Sequence, residues 1–268
     1  MFGGTLFLSM RIYLFALLCG LRCLLKGAFI NGLKFLIAPV GYWRVCPFTM
    51  LEGEFRACGA KRVLDVGSPK LMSIRFAALG AQVVATDLND PAIFLRWLPA
   101  ARALGLSRYT AEFQDAQRLT YPESSFDLAY SISVIEHISE NGDSLAIDEM
   151  LRVVRPGGKV VIEVPSREKG EEIFRKCDSK GAAIPVPTFY ERRYDKQMAD
   201  ERLGRGRRCS RIVLGETLAF DPWISGERKV PKFIRALLWP LEPIAALCNF
   251  GSNRRHQLSL FIVFERAG

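Results

Sequence analysis

The sequence has few residues suited to binding a metal ion or forming disulfides. Its 268 residues include only two histidines, His137 and His256, which excludes a metal centre built from several histidines. The seven cysteines are odd in number and none belongs to a C-x-x-C pair, which argues against a disulfide framework and a structural zinc site. Free cysteines fit a reducing compartment. We therefore expect no bound metal and a cytoplasmic location for the globular part.

The first forty residues contain no acidic side chain, although the whole chain carries 28 of them. Ten apolar or small residues run from Ile12 to Leu21, fewer than the roughly 20 that a membrane-spanning helix needs. At about 100° per residue, Arg11, Arg22 and Lys26 fall within a narrow arc, and apolar side chains cover the rest. The pattern predicts that residues 1–45 form a hydrophobic, basic, amphipathic helical segment that contacts the membrane surface, cations towards anionic headgroups.

Three other interpretations of this segment remain open. It could be a signal peptide, but no small-x-small cleavage site follows the apolar run. It could be a signal anchor, and the cations at Arg22, Lys26, Lys34 and Arg44 would then keep the remainder in the cytoplasm. It could also be a helix packed on its own domain. The net charge of +9 fits an anionic neighbour such as a membrane surface.

Strand and helix patterns alternate between residues 61 and 165. The alternation predicts a parallel sheet with helices on both faces, in which ligands bind beyond the carboxyl ends of the strands. Two later strands are expected to complete an α/β, Rossmann-like sheet of seven strands, mostly parallel with an antiparallel edge. The predicted strands are 62–67, 81–86, 109–113, 126–131, 159–164, 210–214 and 258–265, and the predicted helices end near 79, 104 and 154.

Glycine and acidic residues occur where these strands end. Gly67 closes the first strand, and Asp87 closes the second some twenty residues later, a spacing suited to binding the ribose of a nucleoside cofactor. The fingerprint G-x-G-x-x-G is absent, because Ser-Pro-Lys occupies 68–70, and this disfavours a nicotinamide oxidoreductase. Asp65, inside the first strand, suits a cofactor that carries a cationic amino group and a sulfonium.

Four segments together resemble the class I S-adenosylmethionine-dependent methyltransferases, specifically the type 11 group. The match covers roughly residues 56–165 and rests on order and spacing. It implies a methyltransferase domain over 46–268 that uses S-adenosylmethionine, with acceptor-side insertions at about 166–209 and 215–256. The segments are VLDVGS at 63–68, ATDL at 85–88, FDLAYSISVIEHI at 126–138 and LRVVRPGG at 151–158.

The resemblance also implies roles for single residues. The family usually has glycines where this chain has Pro69 and Lys70, and we expect Lys70 to pair with the cofactor's carboxylate instead. The alternative is a degenerate site that binds no cofactor. Asp87 and Asp115 could also be only a helix cap and a turn residue. In the family's arrangement, Asp65, Gly67 and Ser68 would line the methionine half of the cofactor, Asp87 its ribose, Leu88 and Asp115 its adenine, and Ser131 the sulfonium.

The acceptor side offers fewer signals. His137 is the one imidazole in the matched core and is predicted to take the proton of an oxygen acceptor, with Glu136 beside it; a structural role for the pair is the alternative. Residues 166–187 are predicted to be a loop. Residues 189–203 are predicted to be a helix that presents Tyr190, Arg192 and Arg193 to the acceptor.

A dense cationic run follows, with five arginines between residues 202 and 211. It is predicted either to bind a phosphate or carboxylate of the acceptor or to be a solvated surface. No recognised nucleic-acid module accompanies the run, which disfavours a nucleic-acid partner. A basic amphipathic stretch at 230–239 is predicted to form a lid, a dimer contact or a second membrane-docking surface.

Together, these patterns predict a methyltransferase at the membrane surface. Its acceptor is predicted to be lipid-linked, a glycan or a small hydrophobic molecule, methylated on oxygen, and acceptors that carry an anionic group are included. The alternative is a methyltransferase-like scaffold or binding module that has lost turnover, an interpretation that the unusual Ser-Pro-Lys loop keeps open.

Overall fold

The computed structural model describes residues 2–37, 39–177, 183–216, 250–252 and 256–267. The predicted insertion at 215–256, with its basic stretch at 230–239, lies almost entirely outside the described residues. The strands are β1 (Arg62–Val66), β2 (Gln82–Asp87), β3 (Tyr109–Phe113), β4 (Phe126–Ile132), β5 (Val154–Pro165), β6 (Glu171–Cys177), β7 (Ala183–Arg193), β8 (Cys209–Glu216), β9 (Phe250–Ser252) and β10 (His256–Glu265).

Eight strands form one sheet in the order β3-β2-β1-β4-β5-β10-β8-β9. The first five are parallel, and β10 runs antiparallel to both β5 and β8. The predicted Rossmann-like sheet is therefore confirmed, and the three-residue β9 adds an eighth strand at its edge. Since β1 lies between β2 and β4, the strand order reverses beside β1, where α/β sheets bind ligands.

Helices cover both faces of this sheet. Helices α1 to α5 pack on one face, and α6 packs on the other through Ile147, Met150 and Val153. A π-helical turn, Ile93–Trp97, leads into α5. The helices are α1 (Phe2–Leu25), α2 (Phe29–Ile37), α3 (Tyr42–Ala57), α4 (Leu71–Ala78), α5 (Leu98–Ala103), α6 (Gly142–Val153) and the single turn α7 (Lys196–Met198).

The amino-terminal helices α1 and α2 form a tight hairpin. A Cβ atom on Gly20 would lie 3.0 Å from the carbonyl oxygen of Gly32, so glycine allows the two backbones to approach closely. One side of α1 packs into the core of the domain. Its buried residues there include Ile12, Tyr13, Ala16, Cys19 and Cys23.

The opposite side of the hairpin carries large exposed apolar side chains, which we call the apolar face. At about 100° per residue, Arg11, Arg22 and Lys26 follow one border of this face. Within the described part of the chain, one helical window, Leu8–Leu25, has the length and composition of a membrane span, with mean hydropathy 1.7 and 39% of it buried. The residues of the apolar face are Met10, Leu14, Leu18, Leu21, Leu25, Phe29, Ile30, Leu33 and Ile37, each between 47% and 75% exposed.

The predicted loop at 166–187 and helix at 189–203 are wrong. Strands β6 and β7 form a separate antiparallel ribbon, in which Glu172 pairs with Arg192 and Phe174 with Phe189. Only residues after Asp195 are helical. Residues 183–193 form a strand because β6 supplies their backbone hydrogen-bond partners. Since β6 is a separate segment of the chain, the local sequence pattern of 183–193 does not reveal it.

A buried carboxylate holds this ribbon against α6. Asp143 is fully buried, and its Oδ2 accepts hydrogen bonds from Arg192 at 3.0 Å, Tyr194 at 2.8 Å and Arg202 at 2.9 Å. Arg192 is itself only 1% exposed and also pairs with Glu172. This network fixes the return of the chain from β7 over the amino-terminal end of α6.

The cationic run at 202–211 is largely neutralised by the protein's own groups. Arg202 pairs with Asp143, and the remaining arginines contact acidic or hydroxyl side chains of α6, of β10 and of the turn that follows α7. The functional interpretation of this run as a free anion-binding surface therefore loses its support. The other contacts are Arg205 with Ser144, Arg207 with Asp148, Arg208 with Glu265 and Arg211 with Asp200.

We predict that Asp143→Ala lowers the free energy of unfolding by about 3–5 kcal/mol, because it leaves two guanidinium groups without their buried partner. Urea denaturation followed by circular dichroism measures this. The matched control is Asp148→Ala, which breaks an ion pair whose carboxylate is largely exposed and should cost below about 1 kcal/mol. Equal losses in the two variants would contradict the structural role of Asp143.

Candidate active site

A cleft of about 370 Å³ opens at the carboxyl ends of β1, β2 and β4. This volume lies within the ~300–1,000 Å³ typical of small-ligand sites. Among the residues predicted to bind the cofactor, Gly67, Asp87, Leu88 and Asp115 line it, and so does the predicted base His137. Side chains from four separate loops are thus brought to one edge of the sheet.

Gly67 sits where any larger residue would clash. Its φ is +71°, and a Cβ atom would lie 2.7 Å from Cγ1 of Val134, which follows β4. Glycine adopts this left-handed conformation without steric cost. Its N–H donates to the carbonyl oxygen of Thr86 at 3.0 Å, which joins the loop to β2. Glycine at this position therefore lets the Val134 side chain pack against the backbone of the β1 loop, and both residues line the cleft.

Asp87, at the end of β2, is held by its own loop. Its Oδ1 accepts the N–H groups of Asn89 at 3.3 Å and Asp90 at 3.1 Å. Leu88 beside it is 62% exposed, an apolar surface suited to a flat ring system. Asp115, at the far side of the cleft, accepts the N–H of Gln117 at 2.9 Å. Both carboxylates thus have a fixed orientation at the cleft wall.

Four of the eight predicted cofactor residues, Asp65, Ser68, Lys70 and Ser131, are buried and do not line the cleft. The N–H of Ser68 donates to Oδ1 of Asp65 at 3.0 Å, and its Oγ accepts the N–H of Ile132 at 2.9 Å. The hydroxyl of Ser131 donates to the carbonyl oxygen of Val66 at 3.0 Å. These bonds fasten the β1 loop to β4 and so position Gly67.

Lys70 has partners inside the protein. It is 4% exposed, and its Nζ lies 3.3 Å from Oδ1 of Asp65 and donates to the carbonyl oxygen of Thr86 at 2.9 Å. Burial raises the pKa of Asp65, and the ammonium group of Lys70 opposes that rise. Since these contacts use the ammonium group of Lys70, a cofactor carboxylate would need another cation.

The imidazole of His137 is oriented by a backbone group. Its Nδ1 lies 2.7 Å from the carbonyl oxygen of Tyr190, which can only accept a hydrogen bond. In the neutral ring the proton therefore resides on Nδ1, and Nε2 keeps a lone pair. The rings of His137 and Tyr190 are 5.1 Å apart. This arrangement makes His137 able to accept a proton in the cleft.

Glu136 is a buried carboxyl group next to this imidazole. It is 2% exposed, and its Oε1 lies 3.8 Å from Nε2 of His137. Its Oε2 has no hydrogen-bond partner among the described residues. Burial, together with the nearby carboxylates of Glu163 and Glu191, raises the pKa of Glu136 well above its ordinary value. The environment therefore favours the neutral acid at this position.

The three residues predicted to face the acceptor lie in three different environments. Tyr190 adjoins His137, and the guanidinium of Arg175 lies 3.7 Å from its ring centroid. Arg192 is buried in the Asp143 network, and Arg193 pairs with Glu191 and Glu171. Arg192 and Arg193 are neighbours on β7 and point to opposite faces, and the pairing of β7 with β6 is irregular at Tyr190, which lies between the paired residues Phe189 and Glu191.

Several residues of the cleft were not predicted. Val66, Thr86, Val134 and Ile138 belong to the segments that carry the family resemblance, which assigns them no role. The others lie in the irregular loops after β3 and β4, where no periodic pattern marks a buried or facing side chain. They are Gln114, Ala116, Gln117 and Ser139.

Comparison with known proteins shows which family the residues around this cleft resemble. Residues 64–162 match a family model described as a methyltransferase domain, of type 11. Malonyl-[acyl-carrier protein] O-methyltransferase of Erwinia billingiae is 31% identical over 153 residues, 56% of each chain. Demethylmenaquinone methyltransferase of Clavibacter sepedonicus is 30% identical over 124 residues, 44% of this chain and 49% of that protein. Over residues 64–162 the chain is thus similar to the S-adenosylmethionine-dependent methyltransferases.

A solved structure agrees with the fold of this methyltransferase domain. The 1,6-didemethyltoxoflavin-N1-methyltransferase of Burkholderia thailandensis, with its substrate and S-adenosylhomocysteine bound, superposes with a TM-score of 0.53 at 17% identity. The match covers 93% of this chain and 88% of that one. The chain spans about half the length of the curated relatives described above.

The cofactor of the methyltransferase domain is S-adenosylmethionine. The cleft fits it: the backbone of Gly67 lines its wall, exposed Leu88 offers an apolar surface, and Asp87 presents a fixed carboxylate. Hydroxyl groups donate hydrogen bonds to such a carboxylate, as the two ribose hydroxyls would. Gly67, Asp87, Leu88 and Asp115 are the residues that would hold the adenosine half.

We predict that Glu136→Gln stabilises the methyltransferase domain at high pH. The folded protein holds the Glu136 proton more tightly than the unfolded chain does. Stability is therefore lost as the pH rises above the ordinary value of 4.5 towards the folded-state pKa. The variant should gain about 1 kcal/mol or more at about pH 8 and almost nothing at about pH 5, by urea denaturation.

The matched control for this prediction is Glu168→Gln, which changes an exposed carboxyl group. It should leave the unfolding free energy unchanged at both pH values. A gain for Glu136→Gln of the same size at both pH values would mean that burial of the charge is not its cause.

Proposed function

We propose that the protein transfers the methyl group of S-adenosylmethionine to an oxygen of a small hydrophobic or lipid-linked acceptor at a membrane surface. The observation that carries the proposal is the orientation of His137, whose Nδ1 lies 2.7 Å from the Tyr190 carbonyl oxygen and whose Nε2 keeps a lone pair at the cleft. A glycan acceptor on a lipid carrier falls within the same proposal.

The reaction needs alignment and removal of one proton. When bound, S-adenosylmethionine supplies a methyl group activated by a sulfonium. The acceptor O–H would donate its proton to Nε2 of His137, while its oxygen lone pair is directed at that methyl group. The Tyr190 carbonyl would stabilise the resulting imidazolium by accepting from Nδ1–H. Glu136, favoured as a neutral acid, would remain beside it without competing as a second base.

The names of the relatives support this acceptor class. One of them is an O-methyltransferase, and another acts on demethylmenaquinone. The Asn/Asp-Pro-Pro-Tyr signature that accompanies methylation of planar amino groups is absent, because Ser-Ile-Ser-Val occupies 131–134. These features favour an oxygen acceptor over a nucleobase amine.

The apolar face supports contact with a membrane. Nine large apolar side chains lie on one side of the hairpin and cations border them, the pattern of a helix lying in the bilayer interface. The other side of α1 packs on the domain through Ile12 and Cys19, among others, so a membrane-spanning α1 would have to leave the core. If the hairpin lies in the plane of the interface and the domain is in the cytoplasm, the apolar face contacts the bilayer and the other side of α1 stays packed in the core.

We predict that His137→Gln lowers the rate of methyl transfer by about 10²–10⁴-fold, because glutamine accepts no proton at neutral pH. The assay follows labelled methyl groups from S-adenosylmethionine into lipids of a membrane extract. The affinity for S-adenosylhomocysteine, measured by calorimetry, should be unchanged. The control His256→Gln removes the chain's other imidazole and should retain activity. Full activity of His137→Gln would exclude this base.

We predict that the double variant Leu18→Glu and Leu21→Glu weakens binding to anionic phospholipid vesicles by about 100-fold or more. The reason is that two exposed leucines, which the proposal places in the bilayer, are replaced by charged side chains. Vesicle flotation measures this binding. The matched control is Leu145→Glu, since Leu145 is an exposed leucine of α6, outside the hairpin. If all three proteins float equally, the apolar face does not bind the membrane.

A further inference from the structure

A second, smaller cavity lies beside the cofactor loop. Its volume is about 70 Å³, enough for a few water molecules or one small anion. Its walls come from two parts of the chain. The amino-terminal helices contribute Lys34, Gly41 and Arg44, and the loop between β1 and α4 contributes Pro69 and Lys70, with Trp97 closing one side.

The cavity gathers positive charge. The Nζ of Lys34 lies 5.1 Å from the ring centroid of Trp97. Desolvation and the repulsion from Arg96 and Arg44 lower the pKa of Lys34. The Nε of Arg96 is buried and has no hydrogen-bond partner among the residues that the structure describes. Lys34 and Arg44 line the cavity and Arg96 lies close to Lys34, so an anion in the cavity would offset their mutual repulsion.

The protein supplies little negative charge of its own at this place. Residues 1–51 contain no acidic side chain. Arg44 faces Glu163, but that carboxyl group is buried, accepts the Ser133 hydroxyl at 2.9 Å and has a raised pKa, which favours its neutral form. The carboxylate of Asp65 is already paired with Lys70. The cavity therefore keeps an excess of positive charge.

We propose that this cavity binds the carboxylate of the cofactor's methionine, with Arg44 and Lys34 as its cationic partners. The inference rests on the assignment of S-adenosylmethionine as cofactor. One loop borders both spaces: Gly67 lines the cleft, and Pro69 and Lys70 line the cavity. S-adenosylmethionine is elongated, with adenosine at one end and the carboxylate at the other. Guanidinium groups bind carboxylates through two parallel hydrogen bonds.

The proposal explains the departure from the family's glycine-rich loop. Lys70 replaces a glycine and pairs with Asp65, and the amino-terminal helices provide the counter-charge for the cofactor. Lys34 sits on α2 next to Leu33 of the apolar face, so the segment that is proposed to contact the membrane also completes the cofactor site. Removal of residues 1–40 would then weaken cofactor binding as well as membrane binding.

The test compares two probes that differ only in the carboxylate. Calorimetry measures the affinity of the full-length wild type, Arg44→Gln and Lys34→Gln for S-adenosylhomocysteine and for its decarboxylated analogue. We expect each variant to bind S-adenosylhomocysteine about 10–100-fold more weakly than wild type does. Each variant should bind the decarboxylated analogue with the same affinity as wild type. The matched control Lys26→Gln removes an exposed cation of the same segment, outside this cavity, and should change neither affinity.

The other outcomes overturn the proposal in distinguishable ways. Equal weakening of both probes would mean that the two residues act only through the structure of the loop. Unchanged affinity for both probes, with weaker binding to anionic vesicles, would make the cavity a site for lipid headgroups. Absence of wild-type binding to S-adenosylhomocysteine would instead reject the cofactor assignment itself. Thermal unfolding of each variant verifies that it is folded.

Discussion

The ion pair between Asp65 and Lys70 shapes the loop on which the cofactor site depends. Both groups are almost completely buried, and their attraction is strong only because water is excluded from around them. Asp65 also accepts the N–H of Ser68, and Lys70 reaches the carbonyl of Thr86 in β2. The pair thereby holds the loop between β1 and its neighbour, so that Gly67 can face the cleft without a side chain.

A second constraint acts from the opposite side of the cleft. The β6–β7 ribbon places the carbonyl of Tyr190 on His137, and the buried Asp143 fastens the end of that ribbon to α6 through Arg192 and Tyr194. The orientation of the imidazole thus depends on packing that lies far from it along the chain. Two supports, one under the β1 loop and one behind the imidazole, hold opposite walls of the cleft.

The amino-terminal helices connect the domain with its surroundings. Phe35 of α2 packs on Trp97 with ring centroids 5.8 Å apart, next to the loop that begins at Asp87. Glu52 of α3 pairs with Arg75 of α4, the helix that follows the Gly67 loop. The amino-terminal helices α2 and α3 therefore pack on the elements that follow both of these loops.

The sequence by itself determined the alternation of strands and helices and the residues at the strand ends, because both depend on local periodicity and short spacing. Gly67, Asp87 and His137 were predicted in this way, and all three line the cleft. Only the tertiary structure decided the partners of charged groups. His137 meets Tyr190 across 53 residues, and Arg192 meets Asp143 across 49. No local pattern encodes such pairings, since they arise when separate elements pack together.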